Sequence, residues 1–205
     1  MREEILTTAT DMFLSFGFKS VTMDDIAAKM GISKKTIYNH YDTKTKLVEA
    51  STMDLFDVIS KGIREIQEKK MNPIHENYEI KRFAMLHLKN EETSPLYQLE
   101  KYYPKTFNNL KAKKFDLVQR CVIENLERGI TTGHYRGNIP ISFLSRIHYV
   151  GILGIKDPEL FPPEEYSSAK LMEYFMKYHL YAICTPKGLQ TLEELLKDHE
   201  NIDQD

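Results

Sequence analysis

The sequence predicts an all-α protein, and its glycine, proline and apolar residues carry that prediction. Nine glycines and eight prolines among 205 residues make up about 8 % of the chain, where average usage gives about 12 %. Because turn-forming residues are few, long helices are favoured over many short strands. Apolar residues, 41 % of the chain, recur at helical spacing and suffice to fill a core. At about 150 residues per domain, the length allows one domain or two small ones.

Charge and cysteine content narrow the class of protein. The formal net charge of −2 excludes a polycation that coats nucleic acid everywhere, although it leaves room for a local basic site. The longest apolar stretches, such as 147–155, fall far short of the roughly 18 to 20 residues of a membrane span. The charged first residues differ from a signal peptide. Cys121 and Cys184 lack metal-ligand spacing, so two reduced thiols are favoured over a disulfide. We therefore expect a cytoplasmic protein that does not associate with membranes.

The first fifty residues predict three short helices followed by a longer one. Ala9 and Phe13 belong to an apolar helical face, and Gly17 follows where a left-handed residue would end the helix. Thr22 fits the N-cap of the second helix, because Asp25 stands three residues later as in a capping box.

The same pattern is repeated in the next segment. The second helix ends at Gly31, and Ser33 fits the N-cap of a third helix that continues to about His40. Ile32 and Ile37 flank that cap at the positions of a hydrophobic staple.

A turn over 41–43, with Thr43 or Asp42 as N-cap, leads into a long helix that continues until Asn72 and Pro73. Weak breakers separate the remaining helices. We predict these helices at about 74–89, from Pro95 to about 132 with an interruption at Pro104, at 140–154, at 164–184, and after Pro186.

The second and third helices have the glycine-containing turn of a helix-turn-helix, whose second helix enters the major groove of DNA. On a helical wheel with Ile37 facing inward, the outward residues are Lys35, Thr36, Tyr38 and Asn39, with Lys34 on the flank. Lysine can donate to guanine, and asparagine can form a bidentate pair with adenine. Hydroxyl groups, His40 and the helix starts at Ser33 and Thr43 can donate to phosphates.

Positive charge is concentrated locally but does not by itself identify the site. Five lysines and one aspartate between Lys29 and Lys46 give that segment a net charge of +4, which leaves −6 for the rest of the chain. A second stretch, Lys101–Arg120, holds six basic residues and one acidic residue. The repeated cap and staple around Gly31 favour the first segment. We interpret the second stretch as the exposed face of a long helix, with contact to DNA or another ligand as the alternative.

The segment Ile5–Leu47 resembles the TetR family of transcriptional regulators. The family pattern is an apolar helix ending in F-x-x-x-G-F/Y, then T-[VM]-x-x-I-A, G-[VI]-S-x-x-T-[IL]-Y-x-H-[FY] and K-x-x-L. The matching anchors here are Phe13, Gly17, Phe18, Thr22, Ile26, Ala27, Gly31, Ser33, Thr36, Ile37, Tyr38, His40, Tyr41, Lys44 and Leu47. Lys35 stands where many members have glycine, which affects base preference rather than docking.

The resemblance implies an all-helical homodimer with an N-terminal helix-turn-helix domain over 1–47 and a C-terminal helical bundle over 48–205. The bundle would carry dimerisation, through the helices at 140–154 and 164–184, and the binding of a small-molecule effector. The protein would be a repressor that the effector releases from a palindromic operator in double-stranded DNA.

The residue patterns and the resemblance together give two sets of candidate site residues. The candidate DNA-binding residues are Thr22, Ser33, Lys34, Lys35, Thr36, Tyr38, Asn39, His40, Lys44 and Lys46. By position, the candidate effector-pocket residues are Phe83, His87, Tyr97, Tyr103 and Phe107, each of which ordinary core packing would also explain.

Enzymatic function has no motif in its favour. His75 and Glu76 do not begin HExxH, because position 79 is a glutamate. We expect no catalytic residues, no metal ligands and no cofactor. The alternative functions are a helical adaptor or an enzyme in which the helix-turn-helix does not read DNA, and both predict the absence of a sequence-specific duplex complex.

Overall fold

Ten helices are formed by residues 1–87 and 95–202, which the computed structural model describes. They are α1 (Arg2–Phe16), α2 (Met23–Met30), α3 (Lys34–Tyr38), α4 (Lys44–Glu68), α5 (Pro73–His87), α6 (Pro95–Tyr102), α7 (Pro104–Thr131), α8 (Ile141–Gly154), α9 (Ser168–Ile183) and α10 (Pro186–Ile202). The prediction of an all-α fold is confirmed. Within this part of the chain, no helix is both long enough and apolar enough to cross a membrane.

Two helices in the N-terminal half end earlier than predicted. α3 ends at Tyr38 rather than at about His40, because the His40 amide donates to the carbonyl of Ile37 and tightens the last turn. α4 ends at Glu68, short of Asn72. The chain turns there through Lys70, which takes a left-handed φ of 49°.

Three boundaries in the C-terminal half also have local causes. The interruption predicted at Pro104 is confirmed, since it separates α6 from α7. Pro140 is the N-cap of α8 rather than a residue of its first turn. α9 begins at Ser168 instead of about 164, because the hydroxyl of Ser167 accepts a hydrogen bond from the Lys170 amide at 3.3 Å and caps the helix there.

Contacts among the described residues divide the chain into two compact units. The first unit comprises Met1–Gly62 and Leu86–Lys114, and the second comprises Ile63–Met85 and Phe115–Asp205. The predicted division between 1–47 and 48–205 is one of function, and it stays a prediction.

The core of the first unit includes residues from outside the first four helices, namely Leu99 of α6 and Leu110 of α7. Phe13, Ile26, Ile37 and Leu47 come from α1, α2, α3 and α4 respectively, and all four are fully buried. Leu99 of α6 is 1 % exposed and belongs to the same cluster. Burying a side chain of this size stabilises a fold by about 1.5–3 kcal/mol. α6 is therefore an integral part of the unit that contains the helix-turn-helix.

The second unit has its own core. Its fully buried members include Leu126, Tyr135, Leu180, Ile183 and Leu192. Both cysteines are free thiols. Burial raises the pKa of Cys121 and of Cys184 to about 11, so both thiols are protonated at neutral pH.

A cluster of aromatic rings joins α8 to α9 inside the second unit. The ring centroid of His148 lies 4.5 Å from that of His179 and 5.1 Å from that of Phe175. The two histidines are only 7 % and 6 % exposed. Burial lowers the pKa of His148 to about 3 and the pKa of His179 to about 4. Both imidazole rings are therefore neutral at pH 7.

Candidate DNA-binding surface

A capping box closes the amino end of α2, as the sequence predicts. Oγ1 of Thr22 accepts a hydrogen bond from the Asp25 amide at 3.1 Å, and the Asp25 carboxylate accepts one from the Thr22 amide at 2.7 Å. The Thr22 hydroxyl also donates to that carboxylate. These hydrogen bonds lower the pKa of Asp25. Thr22 thus fixes the direction of α2, and its hydroxyl is engaged within the cap.

The turn between α2 and α3 has the predicted geometry. Gly31 is left-handed, with φ 65° and ψ 29°, a conformation that glycine adopts without strain. The amide of Ile32 donates to the carbonyl of Ala27 at 3.0 Å and closes the turn. Oγ of Ser33 accepts a hydrogen bond from the Thr36 amide at 3.1 Å and thereby caps α3. The Ser33 and Thr36 hydroxyls are themselves 2.8 Å apart.

Burial of Ile37 leaves the polar face of α3 exposed. The exposed side chains in and after this helix are Lys34, Lys35, Tyr38, Asn39 and His40, whereas Thr36 is half-buried. Asn39 is the C-cap and keeps a right-handed backbone, with φ −66° and ψ −19°. It therefore projects in the direction that the helical wheel predicts, although the last regular helical residue is Tyr38. His40 belongs to the following turn.

The amino end of α4 is tied to the loop between α1 and α2. Oγ1 of Thr43 accepts a hydrogen bond from the Lys46 amide at 3.1 Å. Of the two N-cap residues that the sequence allows, Asp42 and Thr43, it is therefore Thr43 that caps α4. Nζ of Lys44 donates to the carbonyl of Lys19 at 3.1 Å. Lys44 is half-buried, and this burial lowers its pKa. Its ammonium group therefore holds the loop in place as well as adding charge to the surface.

Two of the candidate lysines are paired with carboxylates of the same surface. Nζ of Lys34 lies 2.7 Å from the Asp24 carboxylate, and Nζ of Lys46 lies 2.9 Å from that of Glu49. All four side chains are largely exposed to water, so each pair contributes little to stability. A phosphate group can consequently compete with either carboxylate for its lysine.

A cleft beside the end of α3 brings Arg2, which no sequence pattern identifies, next to the candidate DNA-binding residues His40 and Lys46. The cleft has a volume of about 350 Å³, and its basic lining residues are Arg2, His40 and Lys46. Asp42 and Glu49 also line it, so its charge is mixed. No sequence pattern identifies Arg2, because a single arginine before an apolar helix has no distinctive spacing.

The N-terminal segment matches a known protein family. The family profile described as "Bacterial regulatory proteins, tetR family" matches residues 5–51. KstR2 of Mycolicibacterium smegmatis, an HTH-type transcriptional repressor, is 24 % identical over 155 residues, which are 71 % of this chain and 72 % of KstR2. The chain belongs to the TetR family.

Two further comparisons extend this TetR-family assignment. IcaR of Staphylococcus aureus, an HTH-type negative transcriptional regulator of a biofilm operon, is 32 % identical over 79 residues. That match covers 38 % of this chain and 42 % of IcaR. A TetR-family regulator from Agrobacterium tumefaciens superposes with a TM-score of 0.72 at 18 % identity, covering 90 % of this chain and 97 % of the other. This third likeness establishes the fold.

The five predicted effector-pocket residues of this TetR-family protein have different environments. Tyr103 and Phe107 pack against the core of the first unit. Tyr97 is 58 % exposed, and His87 is half-buried in the same unit. Phe83 is half-buried in the second unit. The structure thus brings together only Tyr103 and Phe107, as packing residues, and the effector pocket stays a prediction.

Replacing Lys44 with alanine is expected to weaken binding to every duplex alike. The change removes the hydrogen bond to the Lys19 carbonyl and one cation that is predicted to contact a phosphate rather than a base. We expect the slope of log K against log salt to become shallower by about one unit. Binding titrations over a salt series measure this slope. An unchanged slope would show that Lys44 does not neutralise a phosphate, and Lys44→Arg should keep the wild-type slope.

Proposed function

We propose that this TetR-family protein is a sequence-specific transcriptional repressor whose α3 reads base edges in the major groove of its operator. One observation carries the proposal: α3 is fixed by the Ser33 cap and by buried Ile37, while Lys35 and Asn39 are exposed on the opposite side. A helix held in this way can enter the groove without rearranging. KstR2 and IcaR, which are named as a repressor and a negative regulator, support repression rather than activation of transcription.

The two ends of α3 supply different kinds of contact. Lys35 can donate to O6 and N7 of guanine, and the Asn39 amide can pair with N6 and N7 of adenine. Tyr38, which is 40 % exposed, can donate its hydroxyl to a phosphate. The backbone amides at the capped ends of α2 and α4 add further phosphate donors. Base contacts would thus be flanked by contacts that set the position of the protein on the duplex.

Lys35→Ala and Asn39→Ala are each expected to cost about 1–3 kcal/mol of operator binding free energy and to relax specificity at one base pair. The loss should be concentrated at that position, because each side chain would contact one base. Binding to a set of operators with single base-pair changes measures this. Lys29→Ala is the control, because it removes an exposed lysine of α2 that is not on the outward face of α3. Equal weakening across all sequences would reject a base-reading role for Lys35 and Asn39.

Exposed apolar stripes on α8 and α9 support a homodimer. On α8, Phe143, Ile147 and Val150 are 61 %, 44 % and 56 % exposed. On α9, Tyr174, Tyr178 and Tyr181 are 52 %, 74 % and 49 % exposed. In both helices these residues follow the i, i+4, i+7 spacing of a single face. Contiguous apolar faces of this kind mark interaction sites, and a two-fold dimer buries the same face of both subunits.

A small-molecule effector is the remaining element of the proposal. It would bind the C-terminal domain over 48–205 and shift the population between arrangements that differ in operator affinity. Phe83, His87, Tyr97, Tyr103 and Phe107 are the predicted contacts. Mass spectrometry of molecules that copurify with the protein tests for such a ligand. A ligand found in this way should then release the protein from its operator when it is titrated into the complex.

Selection of bound sequences from random double-stranded DNA is the decisive experiment. A repressor of this type should enrich a pseudo-palindrome with half-sites one helical turn, about 34–36 Å, or a multiple of it apart. Enrichment of no sequence would favour the helical adaptor or the enzyme instead. Within the described residues, no group of three or more His, Cys, Asp or Glu side chains is placed to hold a metal ion.

A further inference from the structure

A second basic surface lies on the first unit, away from α3. It consists of Lys19, in the loop between α1 and α2, and of Tyr97, Lys101 and Tyr102 of α6. We call these four residues the α6 patch. All four side chains are exposed. None of the four is among the candidate DNA-binding residues, and Tyr97, which was predicted by position as an effector contact, is 58 % exposed on this surface.

The α6 patch has a fixed position because α6 is anchored to the loop after α1. The amide of Lys19 donates to Oε1 of Gln98 at 3.0 Å. The Gln98 side chain also packs against Gly17, where a Cβ atom would overlap it. Gly17 has φ 85° and ψ 149°, so its φ is positive, as in the left-handed helix stop that the sequence predicts, but its ψ lies outside the left-handed helical region. On the other side of α6, Leu99 is 1 % exposed in the core.

The cations of the α6 patch are concentrated around one tyrosine ring. Nζ of Lys19 lies 4.8 Å from the ring centroid of Tyr102, and Nζ of Lys101 lies 5.6 Å from the centroids of Tyr102 and of Tyr97. The hydrogen bond from Lys19 and the charge of Lys101 lower the pKa of Tyr102. In the part of the chain that the structure describes, neither lysine forms an ion pair with a carboxylate. Lys34 and Lys46, in contrast, are both paired.

The α6 patch adjoins the predicted phosphate contacts. The carbonyl of Lys19 accepts the hydrogen bond from Nζ of Lys44 at the start of α4. Thr22, the N-cap of α2, follows Lys19 by three residues. The amino ends of α2 and α4 and the α6 patch therefore form one continuous surface.

We propose that the α6 patch binds the phosphate backbone of duplex DNA immediately outside the half-site that α3 reads. The inference rests on the proposed function and extends the DNA contact to α6. Two ammonium groups that have no carboxylate partner among the described residues, together with the hydroxyls of two exposed tyrosines, are donors suited to a row of phosphates. The surface is open and holds no buried cradle for a small anion, whereas the backbone of a duplex presents phosphates at regular intervals along such a surface.

The test uses the full-length protein and two duplexes that share the operator obtained by selection. One duplex extends about ten base pairs beyond the operator at each end, and the other stops at its ends. The variants are Lys101→Gln and Lys19→Gln/Lys101→Gln. Lys197→Gln removes an exposed charge from α10 and is the matched control. Binding is measured over a salt series, and thermal unfolding confirms that each variant is folded.

On the long duplex, we expect Lys101→Gln to make the slope of log K against log salt shallower by about one unit per protomer, with a larger change in the double variant. On the short duplex, wild type and variants should bind alike, since the flanking phosphates are missing. Lys197→Gln should behave as wild type on both duplexes. Equal slopes for wild type and Lys101→Gln on the long duplex, or an equal loss on both duplexes, would overturn the inference. If no duplex is bound with sequence preference, the proposed function itself fails, which is a different result.

Discussion

Replacing Tyr178 with aspartate is expected to convert the protein from a dimer to a monomer. The same change should lower the affinity for a two-half-site operator by about a hundredfold or more. Tyr178 is 74 % exposed within one chain and lies at the middle of the exposed stripe on α9. A two-fold interface would bring this stripe against a second copy of the same surface. A buried aspartate carboxylate without a cationic partner opposes that contact strongly.

The loss of DNA affinity follows from the loss of the dimer. When one helix-turn-helix of a dimer is bound, the second reaches its half-site at a high effective concentration, and a monomer lacks this advantage. Sedimentation or light scattering measures the mass, and titration with the operator and with a single half-site measures the affinity. The single half-site should be bound equally by wild type and variant. Val58→Asp, at another exposed apolar residue, 44 % exposed, is the control. A Tyr178→Asp protein that stays dimeric would contradict the proposed interface.

Lowering the pH from 7.5 to 5 is expected to remove about 4 kcal/mol of the free energy of unfolding through His148 and His179. Burial lowers the pKa of these histidines to about 3 and about 4 in the folded state, whereas an unfolded histidine has a pKa near 6.5. At pH 5 the unfolded chain therefore binds about two more protons than the folded chain at these rings. Because the unfolded state binds more protons, stability falls as pH falls, by about 2 kcal/mol for each ring at pH 5.

Denaturant unfolding at the two pH values measures this difference. The double variant His148→Asn/His179→Asn should lose most of it, because asparagine does not titrate, and each single variant should lose about half. Phe175→Leu is the matched control, since it alters the packing beside His148, whose ring centroid lies 5.1 Å away, without removing a titratable group. It should lower stability equally at both pH values. A double variant with the full pH dependence of the wild type would assign the acid sensitivity to other groups.

Features that depend on neighbouring residues in the chain could be predicted from the sequence. The capping box at Thr22, the left-handed Gly31 and the cap at Ser33 all involve residues within four positions of one another, and their hydrogen bonds follow from local geometry. The family match over residues 5–51 reflects the same local patterns. The exact end of α3 could not be predicted, because the hydrophobic pattern does not reveal that the last turn tightens at His40.

Features that depend on contacts across the chain could not be predicted. Lys19 and Gln98 are 79 positions apart and meet through one backbone hydrogen bond, for which neither residue type is diagnostic. Tyr103 and Phe107 stood out as pocket candidates by position, yet helical aromatic spacing is the same whether a side chain faces a ligand or a core. Their packing against the first unit is decided by where α6 and α7 lie.

The carboxylates of Asp24 and Glu49 have a consequence for the time that the protein spends on unrelated DNA. Asp24 pairs with Lys34 and Glu49 pairs with Lys46, both of which are candidate DNA-binding lysines. A phosphate that displaces either carboxylate from its lysine would leave that carboxylate unpaired and close to the DNA polyanion. This repulsion would act on every duplex, whereas the base contacts proposed for α3 would stabilise only the complex with the operator. We therefore expect the protein to dissociate from random sequence faster than a variant in which Asp24 and Glu49 are both neutral.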